Sequence, residues 1–130
     1  MQTKFIKASV AIMIGLLLTV TFVGARPNAI AASEMRCGWF SNPTPANASL
    51  FDRDAEWIVG VQGGHQAEGD WPSFGPKDWV KTNGNYGYGC ACLRVQVNRE
   101  QGEVIVIESA RTQPLSTCRK DRSLRRWEFK

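Results

Sequence analysis

The sequence is poor in the residues that most enzymes need for catalysis. It contains one histidine, His65, and no G-x-S-x-G motif, so the usual nucleophile and base of a serine hydrolase are missing. The glycine-rich stretch Gly84–Gly89 runs into a strand pattern, whereas a phosphate-binding loop leads into a helix. The sequence therefore favours a protein that is not an enzyme and predicts no catalytic residue. The alternative is a small hydrolase that uses His65 as general base with a carboxylate, Asp70, behind it.

Patterns of metal ligands are equally scarce. The carboxylates of Asp52–Glu56 alternate like the start of a calcium loop, but the turn glycine and distal glutamate of an EF-hand are missing. The close cysteine pair, Cys90 and Cys92, has one intervening residue, which suits neither structural zinc nor a catalytic dithiol. We therefore predict an acidic loop, no metal and no cofactor.

Long hydrophobic runs are confined to the N-terminus. The run Ala8–Val23 follows a short basic start; it is shorter than the roughly 20 apolar residues of a spanning helix and suits a secretory signal peptide. Small residues follow, and we favour cleavage near Ala31 or Ala32 over Ala25. The sequence thus predicts a signal peptide over residues 1–31, a periplasmic or secreted mature protein, and no stable membrane span after cleavage.

The predicted mature chain has almost no excess of one charge. The whole sequence carries a formal charge of +4, but residues 32–130 hold 13 basic and 12 acidic side chains. This balance argues against a nucleic-acid-binding protein, whose domain is usually strongly basic. We expect a single β-rich domain over residues 32–124 and a basic C-terminal tail over 125–130. We interpret the tail as a solvated chain end. The alternative is a contact with an anionic partner, because the tail also contains Trp127 and Phe129.

Four cysteines are present, all in the predicted mature part: Cys37, Cys90, Cys92 and Cys118. An even number in a short exported chain is typical of a disulfide framework. A bond between Cys90 and Cys92 would strain a strand. The C-terminal cysteine is nearer to Cys90 along the predicted hairpin, so the preferred pairing is Cys37–Cys92 and Cys90–Cys118.

The clearest strand pattern runs from Gly89 to Ala110 and predicts a hairpin, with Gly102 in a four-residue turn. Setting Asn98 opposite Glu103 places these residues opposite each other: Val97 and Val104, Val95 and Val106, Cys92 and Ser109, Cys90 and Arg111. Ile105 and Ile107 then share a face with the cysteines. Because a solvated sheet face rarely carries two isoleucines, we expect that face to be covered.

The other segments give weaker signals. Residues 36–55 read as mostly loop because of Pro43 and Pro45, and Glu56–Gln62 reads as a strand. Asn83-Gly84 predicts a turn, and a short helix is expected to begin near Pro114. The predicted fold class is mainly β: a small, antiparallel, loop-rich sheet domain with at most one short C-terminal helix, stapled by two disulfides.

Aromatic residues crowd into loop-like segments together with asparagine, glycine and proline. Such residues either compensate for a small aliphatic core or form a recognition face for sugars, peptides or another protein. The candidate ligand-binding residues on this reading are Trp39, Asn42, Asn83, Tyr86 and Tyr88.

The blocks "RCGWFSNPTPAN", "DRDAEWIVGVQGG" and "TNGNYGYGCACL", with the later "LSTCRKD", resemble the domain-of-unknown-function family 4087 of small exported bacterial proteins. The resemblance spans Arg36 to about Leu124 and implies a periplasmic or secreted protein, without any activity or site residue. We therefore expect a non-enzymatic binding or inhibitory module of the cell envelope, whose partner is an envelope protein or glycan. The small hydrolase, which would be periplasmic, remains the alternative.

Overall fold

The computed structural model describes residue 24 and residues 32–130; the predicted signal peptide, apart from Gly24, lies outside the described residues. The described part contains these elements: β1 (Glu34–Thr44), β2 (Asn47–Asp52), β3 (Glu56–Gly60), β4 (Trp79–Asn83), β5 (Tyr86–Asn98), β6 (Glu103–Gln113), α1 (Leu115–Lys120) and a 3₁₀ helix (Arg122–Leu124). The fold is mainly β, as predicted, and the one α-helix begins directly after Pro114.

The strands close into a small barrel. The sheet order is β1-β2-β3-β6-β5-β4, and β1 also pairs with β5, so every strand except β4 belongs to a ring. The neighbours are antiparallel except β3 and β6, which meet in a narrow parallel contact between Ile58 and Glu103. The short β4 pairs with the first residues of β5, beyond the end of β6. Because the ring is closed, most strand edges have a neighbouring strand to pair with, whereas the edges of a small open sheet would be exposed.

Alternation along the strands fills the barrel with apolar side chains. In β2, Ala48 and Leu50 point inward and are buried, whereas Asn47 and Ser49 point outward. The buried cluster consists of Phe40, Ala48, Leu50, Trp57, Val59, Ala67, Ala91, Leu93, Val95, Val97, Val104 and Ile107. Because side chains alternate between the two faces of a strand, the outward positions of the same strands are available for other contacts.

The region before β3 is a strand pair, so the prediction of a mostly loop segment was wrong. β1 and β2 are joined by a tight turn in which Ala46 has a φ of 57°. Pro43 lies beyond Asn42, the last β1 residue that pairs with β5, and at a shift in the register with β2. A proline is tolerated at such an irregular position, where a ladder hydrogen bond is not required of it. The prolines thus mark the end of β1 and do not prevent the strand.

The β5–β6 hairpin matches its predicted turn but not its full length. Asn98 lies opposite Glu103, Val97 lies opposite Val104, and Gly102 has a φ of 67° in the four-residue loop. Two bulges then shift the register, which corrects the remaining predicted pairs: Val95 lies opposite Ile107, Cys92 opposite Arg111 and Cys90 opposite Gln113.

The bulges also correct the predicted burial of the two isoleucines. An extra residue in one strand turns the following side chains to the other face. Ile107 therefore joins the barrel interior with Val95 and does not share the cysteine face, whereas Ile105 is 37% exposed. The expectation that both lie under a covering segment was wrong.

Both predicted disulfides are present. Cys37–Cys92 joins two directly paired residues of β1 and β5, and Cys90–Cys118 ties α1 to β5. All four cysteines are accounted for, and none within residues 32–130 is free. The second bond anchors everything that follows β6.

Residues 114–130, which we name the C-terminal cap, pack on the outside of the barrel. The rings of Trp127 and Phe129 contact Phe51 with centroid distances of 5.1 and 5.0 Å, and Phe129 also stacks on Trp39 at 5.5 Å. A second buried cluster thus forms outside the barrel. The end of the chain, which the sequence suggested to be solvated, is docked.

Candidate functional site

The predicted ligand-binding residues lie at different depths. Trp39 is 2% exposed and lies under Phe129, so its side chain cannot reach a ligand in this conformation. Tyr88 and Tyr86 are half-buried, two residues apart in β5. Asn83 is exposed and lies opposite Tyr86 across the β4–β5 turn. Trp39 therefore belongs to the packing under the cap. Tyr88 borders it, because its ring lies 4.9 Å from that of Phe129 and its hydroxyl donates to the main-chain oxygen of Lys130. Tyr86 and Asn83 remain accessible.

The two asparagines join the loops at this end of the barrel. The Asn42 side-chain amide donates to the carbonyl oxygens of Thr44 and Asn47, at 2.8 and 2.6 Å. The Asn83 amide donates to the carbonyl oxygen of Pro43 at 3.4 Å. The β1–β2 and β4–β5 turns therefore lie side by side. Because both donors of the Asn42 amide are used within the loop, only its side-chain oxygen is left for an outside partner.

One row of outward-facing residues crosses the barrel above these turns. Cross-strand pairing places side by side Val80, Tyr88, Ser41, Ser49 and Ile58. Directly paired residues share one face of a sheet, and all five are partly exposed. We name this row, together with Pro43, Asn47 and Tyr86 at its end, the open outer face.

The adjacent row is covered. Moving two residues along each strand leads from Tyr88 to Cys90, from Ser41 to Trp39 and from Ser49 to Phe51, and all three of these second positions pack under the cap. The cap therefore covers this row of the outer surface and leaves the neighbouring row largely exposed.

The open outer face contains a shallow concavity of about 270 Å³. Its lining includes Ser41, Pro43, Asn47, Ser49, Phe51, Ile58 and Val61. Hydroxyl and amide groups thus stand beside apolar carbon atoms, and Glu56 at the margin is the ionisable residue of the lining. Sequence reasoning missed Ser41, Ser49 and Ile58 as surface partners. The signal that would have found Ser49 is the alternation in Asn47–Asp52, which the nearby prolines obscured.

The geometry around His65 offers no support for a hydrolase. Its Nε2 atom lies 2.8 Å from the carbonyl oxygen of Val104, which is the contact of a histidine that holds a loop in place. Within residues 32–130, neither Asp70 nor any other carboxylate hydrogen-bonds to His65, and no group of three potential metal ligands comes together.

A buried ionic cluster closes one end of the barrel. Arg36 is 7% exposed and donates to the carboxylates of Asp52, Asp54 and Glu34 at 2.6, 2.9 and 2.9 Å. Burial alone would lower the pKa of Arg36, but these hydrogen bonds outweigh it and raise the pKa above its ordinary value. Its guanidinium also lies 4.2 Å from the centroid of the Trp57 ring. Arg36 is thus permanently charged and fully engaged within the fold.

A larger depression, of about 630 Å³, lies between residues 69–73 and the second half of β6. Beyond Ile107, no strand of the described part pairs with the outer edge of β6, and residues 108–111 are exposed. Such an edge offers backbone groups to an extended peptide. It is the competing location for a binding site on this barrel.

The carboxylate of Glu108 is held by two neutral donors beside this edge. Gln96 and Ser33 donate to it at 2.9 and 2.7 Å, and these hydrogen bonds lower the pKa of Glu108. Because the pKa of Glu108 is lower in the folded protein than in the unfolded chain, these hydrogen bonds stabilise the fold at pH values above the ordinary carboxyl pKa of about 4.3. This stabilisation is lost as the pH falls through the pKa of the folded state.

We predict that Gln96→Ala raises the pKa of Glu108 towards its ordinary range, because Gln96 is the main cause of the shift. An NMR titration of the Glu108 side-chain carboxyl measures this directly. Ser33→Ala, the matched control, should produce the smaller rise. An unchanged pKa in Gln96→Ala would contradict the assignment.

These features define a small, mainly β, disulfide-linked barrel domain without a recognisable catalytic or metal centre in residues 32–130. In the same residues, no helix is both long and apolar enough to cross a membrane. The chain belongs to the family described as "Protein of unknown function (DUF4087)", whose model matches residues 31–125, and this confirms the resemblance drawn from the sequence blocks. No curated protein and no solved structure matches the chain.

Proposed function

We propose that the protein is a non-enzymatic binding module of the bacterial cell envelope and that its open outer face binds a glycan chain. The observation that supports this best is a row of five partly exposed residues across the barrel, directly beside a row that the cap buries. Because the cap buries one row and not its neighbour, the neighbouring row is a candidate for contact with another molecule.

The chemistry of the open outer face suits a neutral sugar. Tyr86 offers ring surface for the apolar C–H faces of a pyranose, and the hydroxyls of Ser41 and Ser49 can exchange hydrogen bonds with sugar hydroxyls. The face carries no lysine or arginine, which a nucleic-acid phosphate backbone would require. Small five-stranded barrels of the OB type bind oligosaccharides on a comparable sheet face; this is an analogy of architecture alone.

An envelope location agrees with the disulfides. Two bonds in a small domain are typical of an oxidising compartment such as the periplasm, and the sequence pattern of residues 1–31 is that of a signal peptide. The hydrolase alternative, by contrast, has no supporting contact at His65.

The proposal predicts binding to isolated cell-wall glycan that depends on the open outer face. Co-sedimentation with purified peptidoglycan sacculi, followed by calorimetry with oligosaccharides released from them, measures it. Tyr86→Ala should weaken binding at least about tenfold, as truncation of an aromatic anchor does. Ser49→Arg, which places a long charged side chain in the middle of the row, should weaken it at least as much.

Two control variants make the result specific. Ile105→Ser alters an exposed apolar residue elsewhere on the barrel and should leave the affinity within about twofold, the ordinary scatter for a residue outside an interface. Ser109→Arg alters the exposed edge of β6 and should do the same. No sedimentation of the wild type, equal loss in the control variants, or loss confined to Ser109→Arg would each overturn the proposal; the last would move the site to the strand edge.

A further inference from the structure

The C-terminal cap differs in charge from the rest of the described domain. It contains six basic and two acidic side chains, whereas residues 32–113 contain seven basic and ten acidic ones. The six are Arg119, Lys120, Arg122, Arg125, Arg126 and Lys130. The near-neutral net charge therefore hides a separation of charge. The C-terminal cap is positive, and residues 32–113, which we name the body, carry a net negative charge.

The cations of the cap lack ionic partners. All six side chains are exposed, and none forms an ion pair with an Asp or Glu side chain in the part of the chain that the structure describes. Arg119 donates to the main-chain oxygen of Lys130 at 3.2 Å. One of the two acidic residues, Asp121, accepts hydrogen bonds from the backbone N–H and hydroxyl of Ser123 at 2.9 and 2.6 Å. The positive charge of the cap thus faces solvent.

The cap holds these cations in fixed places. Cys118 is bonded to Cys90 in the barrel, and Trp127 Nε1 donates to the carbonyl oxygen of Asp52 at 2.7 Å. At the end of the chain, Tyr88 donates through its hydroxyl to the carbonyl oxygen of Lys130 at 2.6 Å. A segment held at three points loses little conformational entropy when it binds a partner.

Aromatic residues accompany the positive charge. Trp127 and Phe129 are half-buried, and the Arg126 guanidinium lies 4.4 Å from the centroid of the Trp127 ring. Tryptophan and long basic side chains together are typical of protein segments at the boundary between water and lipid headgroups.

We infer that the C-terminal cap docks on a membrane surface rich in anionic phospholipid headgroups. The unpaired cations contact lipid phosphates, and the negative body is repelled from the same surface, so the charge asymmetry sets one orientation. Because the cap covers the row of residues next to the open outer face, docking places that face beside the membrane. This inference stands on the cap alone and does not depend on what the open outer face binds.

Vesicle binding of the whole exported protein tests the inference. Vesicles of phosphatidylcholine with added phosphatidylglycerol should bind the protein, and vesicles of pure phosphatidylcholine should not. Each cation near an anionic surface changes the partition coefficient by about fivefold. Lys120→Gln/Arg122→Gln/Arg125→Gln should therefore weaken binding on the order of 100-fold, and Arg122→Lys/Arg125→Lys should retain it because charge is conserved.

A matched triple variant shows whether binding depends on the position of the cations in the cap or only on the net charge of the protein. Lys77→Gln/Lys81→Gln/Arg111→Gln removes three exposed, unpaired cations from the body and should weaken binding less than about fivefold. Circular dichroism confirms that each variant is folded. Equal losses in the two triple variants, equal binding to both vesicle types, or binding to soluble polyphosphate without binding to vesicles would each overturn the inference.

Discussion

Replacing Asp52 with alanine should destabilise the domain by about 3–5 kcal/mol, the usual cost of removing one partner of a buried ion pair. Asp52 is 2% exposed, and its carboxylate accepts hydrogen bonds from the Arg36 guanidinium, the Trp57 indole and the backbone N–H groups of Asp54 and Ala55. The variant would leave all of these donors without their acceptor. Small domains have a free energy of unfolding of only about 5–15 kcal/mol, so the loss would be a large fraction of it.

Urea denaturation at neutral pH measures this effect. Asp54→Ala, the matched control, removes a carboxylate that also contacts Arg36 but is 54% exposed. It should cost less than about 1 kcal/mol, as exposed ion pairs do. The double variant Arg36→Met/Asp52→Leu should recover only the part of the loss that comes from the uncompensated Arg36 charge, because the Trp57 indole and the backbone N–H groups of Asp54 and Ala55 still lack an acceptor. If Asp52→Ala and Asp54→Ala lowered the free energy of unfolding equally, the conclusion that the buried Asp52 carboxylate is the more important one would be contradicted.

Local signals account for what could be predicted from the sequence. Gly102 adopts the left-handed conformation that its hairpin turn requires, and Pro114 precedes the helix whose first turn tolerates a residue without an N–H. The disulfide pairing followed from chain proximity along the hairpin, and the observed pairs are those preferred. Each of these features depends on residues that are neighbours in sequence or across one turn.

Features that depend on distant packing could not be predicted. The bulges that move Ile107 into the core leave no local mark, since the four apolar residues Val104–Ile107 fit either face. β1 and β2 lie where prolines suggested loop, because the pairing of β1 with β5 is a contact between residues far apart in the chain. Long-range pairing overrides local preference in such cases.

The candidate site shows the same division. Tyr86 and Asn83 were predicted as surface residues because a turn between strands is exposed, and both are accessible. Trp39 lies in the middle of β1, and whether it is exposed depends entirely on the docking of Phe129, ninety residues later in the chain. Ser49 and Ile58 become neighbours only through the β2–β3 register. Which residues form the open outer face is therefore determined by how the strands pair, and not by the local sequence.

Removing the Cys90–Cys118 bond should both destabilise the domain and release the C-terminal cap. The bond closes a segment of 28 residues, for which loop entropy suggests about 3–4 kcal/mol. Cys37–Cys92 closes 55 residues, and its loss should cost a similar amount, about 4 kcal/mol. The two bonds differ in position: Cys37 and Cys92 already pair within the ladder of β1 and β5, whereas Cys118 attaches the cap from outside.

Hydrogen exchange separates these two consequences. In Cys90→Ala/Cys118→Ala, the amides of Leu124 and Trp127, which donate to the carbonyl oxygens of Asp121 and Leu124, should exchange much faster than the barrel amides, because a freed segment opens locally. In Cys37→Ala/Cys92→Ala, cap and barrel should lose protection together. If the cap stayed protected without its disulfide, the aromatic contacts of Trp127 and Phe129 alone would be sufficient to dock it. The fixed presentation of its cations would then depend on packing rather than on the covalent bond.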